Sequence, residues 1–145
     1  MLMDLDLVGH LIGGQLVRAA KAHHRVASEQ LKQLGLYVGQ ETLLISLQNE
    51  DGVAQSDLAA RHDLDLSTIT KVVQRMERSG LVERRADPGD ARVSRVYLTA
   101  RGRELGEPAR QLWLDLEQQL TQGLSEAERL LLHRLLATVA TNLES

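Results

Sequence analysis

The sequence predicts a mainly helical protein with one small β hairpin (an α+β fold). The 145 residues include 43% hydrophobic but only 2% aromatic side chains, and no Phe. A core of this composition consists of Leu, Val, Ile and Ala, and Leu-rich chains are typically helical. The hairpin is indicated by a change in hydrophobic period from 3.6 to 2 between residues 81 and 99. The length suits one domain, or two thin units that share a core.

Long amphipathic helices are predicted at both ends of the chain. Apolar residues recur at spacings of three and four from Asp4 to Leu34, which indicates one helix whose middle is weakened by Gly13 and Gly14. A second helix is predicted from Gly39 to Asn49. The last two helices are expected to span residues 99–122 and 125–142. Their leucines offer more apolar surface than a small middle unit can cover, so we expect a second copy of the chain to cover them.

Two short helices are predicted in the middle of the chain, at residues 56–62 and 66–79. Their short connection is typical of a helix-turn-helix. Asp65 is a good N-cap for the second helix, and Gly80 a good stop. Polar side chains on its outward face can bind phosphates or base edges: Ser67, Thr68, Thr70, Lys71, Gln74 and Arg75. Taken alone, such a face is equally typical of an ordinary solvated helix.

Arginines surround the turn between the two predicted strands. Pro88 and Gly89 at the centre of this turn predict type II geometry. Charges on a strand edge protect against edge-to-edge association, but a turn that projects an arginine also has the shape to enter a DNA minor groove. We therefore expect Arg92 and Arg95 to contact DNA, and Asp90 to pair with a nearby arginine and orient the loop.

The charge distribution agrees with a nucleic-acid partner although the net charge is −3. Residues 53–103 contain ten basic and seven acidic residues, a net charge of +3, which leaves −6 for the two flanks. Salt screens charges beyond about 10 Å, so the local excess matters more than the total. The middle of the chain is therefore the predicted DNA-binding region.

Several short motifs occur in a fixed order through this region. They are QSDLA at residues 55–59, STIT at 67–70, MERSGLVER at 76–84, DPGDAR at 87–92, and LT at 98–99 followed by Gly102. This ordered set resembles the MarR family of bacterial and archaeal transcriptional regulators. Ala54 departs from the family pattern, because relatives often have a Ser or Thr there that caps the third helix. The loss of this cap lowers local stability unless Ser56 or Asp57 compensates for it.

The resemblance implies a homodimer that binds double-stranded DNA. Residues 1–34 and 104–145 would form the dimerisation helices, and residues 35–103 the winged helix-turn-helix domain. The second helix of the motif would lie in the major groove and Arg92 would reach the minor groove, with Asp90 holding the wing. Such a dimer binds an inverted repeat. Many relatives are repressors that a small aromatic or phenolic ligand releases from DNA.

Fewer features of the sequence indicate which residues would bind a regulatory ligand or metal. The chain has no Cys, which excludes a thiol switch. His23 and His24 point about 100° apart on a helix, so no metal site is expected. Candidates for a ligand pocket are Arg18, His24, Tyr37 and Trp113. The alternative interpretation of Trp113 is packing in the dimer core.

Other functions have less support from the sequence. There is no nucleophile elbow, phosphate loop or zinc-protease motif, so we expect neither an enzyme nor a cofactor. A helical scaffold or anti-regulator of the same fold, without DNA binding, is the alternative. No apolar run approaches the roughly 20 residues that span a bilayer, and the N-terminus does not resemble a signal peptide. We expect a soluble, cytoplasmic protein.

Overall fold

The computed structural model describes residues 7–144. Most of the secondary structure is helical, with one small sheet, so the predicted fold class is confirmed. The elements are α1 (Ile12–Gln33), α2 (Gln40–Asn49), β1 (Val53–Ala54), α3 (Gln55–Arg61), α4 (Leu66–Arg78), β2 (Val82–Ala86), β3 (Ser94–Leu98), α5 (Ala100–Leu120) and α6 (Glu126–Glu144).

The first helix differs from the prediction of a continuous helix from Asp4 to Leu34. Residues 1–6 lie outside the described residues. Residues 7–10 are helical, but the backbone bends at Leu11, which is extended (φ −81°, ψ 149°), and α1 begins after it. A Cβ atom at Gly14 would collide with the carbonyl of Val8. The glycine pair therefore does accompany an interruption, because Gly14 allows the preceding segment to approach α1 closely.

The helix stop predicted at Gly80 is confirmed, and α1 ends in the same way at Gly35. Gly35 after α1 and Gly80 after α4 have positive φ angles of 74° and 75°. The N–H of Leu36 donates to the carbonyl of Leu31 at 2.9 Å, and the N–H of Leu81 donates to that of Met76 at 2.9 Å. These are the hydrogen bonds of a left-handed helix terminus, which turns the chain sharply. At Gly80 that turn leads α4 directly into the hairpin.

The sheet has three antiparallel strands in the order β1-β3-β2. The hairpin of β2 and β3 was predicted. In the structure, Val82 lies opposite Leu98 and Ala86 lies opposite Ser94. Strand β1 was not predicted, because two residues are too short to show a period. It pairs Val53 with Val96.

The turn of the hairpin is not type II. Type II geometry requires a positive φ at Gly89, and Gly89 is not among the residues with positive φ. The N–H of Asp90 donates to the carbonyl of Asp87 at 3.3 Å, as in a type I turn. The carboxylate of Asp87 also accepts hydrogen bonds from the N–H groups of Gly89 (2.9 Å) and Asp90 (3.0 Å). Asp favours the first position of type I turns for this reason.

The hydrophobic core joins the helices to the sheet. Its fully buried side chains come from α1 to α4, from β3 and from the residue before β2: Leu31, Leu43, Leu44, Leu47, Leu58, Ile69, Val73, Met76, Leu81 and Val96. Three of them, Ile69, Val73 and Met76, form the buried stripe of α4. Burying a side chain of this size stabilises a fold by about 1.5–3 kcal/mol. The packing of this stripe therefore decides which face of α4 points outward.

The chain divides into two compact units between Leu112 and Trp113. The first unit contains the core and the sheet. The second contains the end of α5 and all of α6, and none of the side chains of α6 is buried. The exposed leucines of α6 are Leu130, Leu131, Leu132, Leu135, Leu136 and Leu143. Among the described helices, none combines the length and the apolar character needed to cross a membrane.

Candidate nucleic-acid interface

The N-terminus of α4 is held by the predicted cap. The carboxylate of Asp65 accepts hydrogen bonds from the N–H of Thr68 at 2.7 Å and from the hydroxyl of Ser67 at 3.0 Å. The bond from the Thr68 backbone is the main reason that the pKa of Asp65 lies below its ordinary value. The first turn of α4 is therefore held by the side chain of Asp65.

The outward face of α4 contains most of the predicted contact residues. Ser67, Thr68, Lys71, Gln74 and Arg75 are exposed. Thr70 is not, because its hydroxyl donates to the carbonyl of Leu66 at 2.7 Å and accepts from the side chain of Gln55 at 2.9 Å. The structure thus engages Thr70 with Gln55 of α3 and leaves it half-buried.

Three cations form a row on α4. Within residues 7–144, Lys71, Arg75 and Arg78 have no carboxylate within ion-pair distance. The guanidinium of Arg75 lies over the ring of Tyr37, 5.3 Å from its centre. Arg78 was not among the predicted contact residues, although its spacing from Lys71 and Arg75 would have placed it on the same face. Among the described residues, the row therefore presents positive charge that no ion pair neutralises.

The wing consists of β2, β3 and the turn between them, and Arg92 lies at its tip. The side chain of Arg92 is 91% exposed. Its Nε and Nη2 atoms donate to Asp90 at 3.1 and 3.2 Å, and its backbone N–H donates to the same carboxylate at 3.0 Å. These bonds lower the pKa of Asp90. The predicted contact between Asp90 and a nearby arginine is therefore present, and it directs the side chain of Arg92.

Arg95 has a different environment. Its Nε donates to Asp87 at 2.6 Å, and its Nη1 donates to the carbonyl of Gly52 at 2.9 Å. Its side chain is 38% exposed, far less than that of Arg92. Two of the donors of Arg95, Nε and Nη1, are therefore engaged within the protein.

The remaining two arginines of the wing are also paired. Arg84 donates to Glu77 of α4 at 3.1 and 3.2 Å. Arg85 pairs with Glu83 at 3.2 Å, and its guanidinium lies 4.4 Å from the centre of the Tyr97 ring. Each arginine of the wing thus has its own carboxylate.

Comparison with known proteins agrees with this geometry. The sequence model of the MarR family matches residues 36–94. The HTH-type transcriptional repressor IacR of Pseudomonas putida is 35% identical over 130 residues, which are 87% of this chain and 77% of IacR. The multiple antibiotic resistance protein MarR of Escherichia coli is 32% identical over 137 residues, 92% of this chain and 95% of that protein. The chain belongs to the MarR family.

A solved structure also resembles the chain in fold. The crystal structure of a complex of S. aureus MepR with DNA has a TM-score of 0.85, covers 91% of this chain and 98% of MepR, and is 24% identical in sequence. The predicted family, the winged helix fold and the role of transcriptional regulator are confirmed. The relatives are named as regulators, not as enzymes.

The ligand-pocket residues predicted for this MarR-family chain are only partly brought together. His24 and Tyr37 line one cavity of about 670 Å³ beside the end of α1. Tyr37 also lines a second cavity of about 420 Å³, together with Lys71, Arg75 and Arg78. Arg18 is exposed on α1 and lines neither cavity. Trp113 belongs to the second unit, where it is 39% exposed.

Metal ligands do not cluster in the part of the chain that the structure describes. No three His, Cys, Asp or Glu side chains between residues 7 and 144 are placed to hold an ion together.

Proposed function

We propose that this MarR-family regulator is a homodimeric repressor that binds an inverted-repeat operator and is released by a small ligand. The observation that supports this most directly is the row of unpaired cations on α4, which lies on the same lobe as the exposed Arg92. A regulator with this role acts in the cytoplasm, where prokaryotic DNA is found.

The proposed DNA-binding lobe is residues 35–103, with α4 as the recognition helix. Lys71, Gln74 and Arg75 have the donors that pair with guanine and adenine edges in the major groove. Ser67 and Thr68, at the helix N-terminus, are suited to a phosphate. Arg95, predicted from the sequence as a third wing contact beside Asp90 and Arg92, donates from Nε and Nη1 to Asp87 and Gly52.

The wing is proposed to reach the adjacent minor groove. Arg92 is the side chain that would enter the groove, where a narrow width enhances the negative potential. Asp90 orients it through two side-chain hydrogen bonds and one to the backbone.

The dimer is proposed to form through residues 1–34 and 104–145. Helix α6 exposes Leu130, Leu131, Leu135 and Leu136, each at least 45% accessible in the single chain. Helix α1 exposes Ile12 at 81%. Apolar surface of this kind marks an interface, and a two-fold dimer would present two recognition helices to half-sites roughly one helical turn apart.

The proposed ligand is small, and aromatic or phenolic. The 670 Å³ cavity has a size typical of ligand sites, and His24 and Lys32 supply polar and cationic groups. Tyr37 lies beneath Arg75 of the recognition helix, so a ligand that moves Tyr37 also removes the support of Arg75. Arg18 and Trp113 stay predictions from the sequence.

Selection from a random library of DNA duplexes tests the DNA function. The immobilised protein should enrich a duplex with two-fold symmetry, and that duplex should bind a dimer in equilibrium sedimentation. Enrichment of no sequence, together with binding no tighter than to a random duplex, would support a scaffold or anti-regulator without DNA binding and overturn the proposal.

Release by a ligand is tested on the selected duplex with phenol, benzoate and 4-hydroxybenzoate. At least one should weaken binding by wild-type protein, and Tyr37→Ala should lose that response. If all three leave affinity unchanged, this class of ligand is wrong, while the DNA function is unaffected.

A further inference from the structure

Arg95 joins the tip of the wing to a distant part of the lobe. Its guanidinium donates in two directions, to the carboxylate of Asp87 at 2.6 Å and to the carbonyl of Gly52 at 2.9 Å. We call this set, the side chains of Arg95 and Asp87 and the carbonyl of Gly52, the wing link. Gly52 is 43 residues from Arg95 in the sequence. The link therefore depends on the tertiary structure.

The Gly52 end of the link is firmly held. The N–H of Gly52 donates to the carbonyl of Val96 at 3.0 Å. The neighbouring Asp51 accepts from the N–H of Leu98 at 2.8 Å and from Arg103 at 3.0 Å. These bonds attach the turn before β1 to strand β3 and to helix α5. They therefore hold the carbonyl of Gly52 in place.

The Asp87 end of the link controls the turn at the tip. One carboxylate oxygen of Asp87 accepts from Arg95, and the other accepts from the N–H groups of Gly89 and Asp90. The hydrogen bond from Arg95 is the main reason that the pKa of Asp87 is lowered. Asp90 in turn holds Arg92. A continuous series of hydrogen bonds thus runs from Gly52 to the arginine at the tip.

Burial distinguishes the link from the Glu83–Arg85 pair of the wing. The side chains of Asp87 and Arg95 are 20% and 38% exposed, whereas Glu83 and Arg85 are each 56% exposed. An ion pair that is less exposed is screened less by solvent and salt. The Asp87–Arg95 pair is therefore the better suited of the two to hold a fixed geometry.

We propose that Arg95 is a positioning residue: together with Asp87, it sets the direction in which the wing presents Arg92 to DNA. This differs from the sequence-based prediction that Arg95 itself contacts DNA. The proposal rests on the proposed DNA-binding function, and it assigns to Asp87 a role that the sequence did not suggest.

Asp87→Asn distinguishes a positioning role of Arg95 from a direct DNA contact, because the two roles predict opposite changes in affinity for DNA. The oxygen of Asn can keep the bonds to Gly89 and Asp90, while its NH₂ group faces Arg95 and cannot accept. If Arg95 is a positioning residue, affinity for the selected duplex should fall about fivefold, the equivalent of about 1 kcal/mol. If Arg95 contacts DNA, the loss of a neighbouring negative charge should instead strengthen binding, and that result would overturn the proposal.

Glu83→Gln is the matched control. It removes one negative charge from the wing and breaks an arginine pair, but this pair joins residues two apart on one strand and has no bond to Gly52. Its affinity should equal or exceed that of the wild type. A loss as large as that of Asp87→Asn would mean that any wing carboxylate matters, and would overturn the specific role of the link.

Arg95→Lys provides a second variant with the charge retained. A lysine can replace an arginine at a phosphate as a point charge, but it lacks the fork that donates to two separate acceptors. The proposal therefore expects weaker binding with an unchanged dependence of affinity on salt. Full affinity for Arg95→Lys would indicate a phosphate contact and contradict it.

Amide hydrogen exchange tests the link without DNA. In Asp87→Asn, the turn is no longer held to Arg95 and should open more often even though its own hydrogen bonds can form. The N–H groups of Asp90 and Arg92 should therefore exchange faster than in the wild type, while those of α4 should not change. Unchanged exchange at the tip would overturn the proposal. If the wild type selects no duplex, the DNA function fails, yet exchange still decides whether the link orders the wing.

Discussion

Helix α4 and the wing both present cations, but those of α4 lack ion-pair partners among the described residues, whereas those of the wing are paired with carboxylates. Within the described residues, Lys71, Arg75 and Arg78 of α4 have no acidic partner. Every arginine of the wing has one, and the pairs are Arg84–Glu77, Arg85–Glu83, Arg92–Asp90 and Arg95–Asp87.

The difference suggests a division of roles. Unpaired cations attract a polyanion from a distance and release its counterions on binding. A paired arginine contributes little net charge, but its side chain is already oriented, so less conformational entropy is lost when it binds. We expect α4 to supply most of the attraction to DNA, and the wing to supply a contact of fixed geometry.

The largest effect is expected from removing the unpaired charge. The double substitution Lys71→Ala with Arg75→Ala should weaken binding of the selected duplex by at least about 100-fold and lower the salt slope by up to about two. Titrations at several salt concentrations measure both. The control is Lys21→Ala with Arg25→Ala, two exposed cations at the same spacing on α1, and equilibrium sedimentation checks that both double variants remain dimers. Equal losses in both double variants would mean that only total charge matters.

A smaller effect is expected at the tip of the wing. Arg92→Ala should weaken binding about tenfold and lower the salt slope by about one, because a single groove contact is lost. Mobility-shift titrations test this, with Arg85→Ala as a control on the same hairpin that is already held by Glu83 and Tyr97. Unchanged affinity for Arg92→Ala would remove the wing from the interface.

Acid should affect the end of α3 and the wing at different pH values. His62, at the C-terminus of α3, has its pKa lowered by burial and by Arg61, and its Nε2 atom is buried without a hydrogen-bond partner among the described residues. A histidine of lowered pKa contributes stability that is present above its ordinary pKa of about 6.5 and is lost as pH falls through that value. In the wing, Asp87 and Asp90 have lowered pKa values, so their contribution is lost only as pH falls below about 4.

Urea unfolding at pH 7.5, 5.5 and 3.5 measures this order. The free energy of unfolding should decrease in both steps, and His62→Gln should remove much of the first decrease while leaving the second. A wild-type protein that is more stable at pH 5.5 than at 7.5 would contradict the effect assigned to His62.

The smallest effect concerns the two helices of the helix-turn-helix, of which only α4 has a side-chain cap. Ala54 precedes α3 and forms no side-chain cap hydrogen bond. Ala54→Ser should raise the free energy of unfolding by about 0.5–1 kcal/mol, since its hydroxyl can accept from the N–H of Asp57. Ala54→Val, which adds no acceptor, should give no gain. Equal stabilisation by both variants would point to packing.

Much of the site was visible in the sequence because its contacts are local. The cap of Asp65 on Thr68 and the pairing of Asp90 with Arg92 join residues two or three apart. The helix stops at Gly35 and Gly80 depend on a backbone conformation that glycine adopts without strain. Contacts of this range follow from residue type and spacing, so the Asp90–Arg92 pair and the two ends of α4 could be predicted without coordinates, whereas the type of the turn at Pro88 and Gly89 was predicted wrongly.

Other parts were decided by tertiary structure. Gln55 turns Thr70 inward from 15 residues away, and the carbonyl of Gly52 engages Arg95 from 43 residues away. Strand β1 exists only because β3 lies beside it. No spacing in the sequence encodes these contacts, because packing of the core brings the segments together. The sequence by itself determined which cations the lobe contains, and the tertiary structure decided which of them are left unpaired.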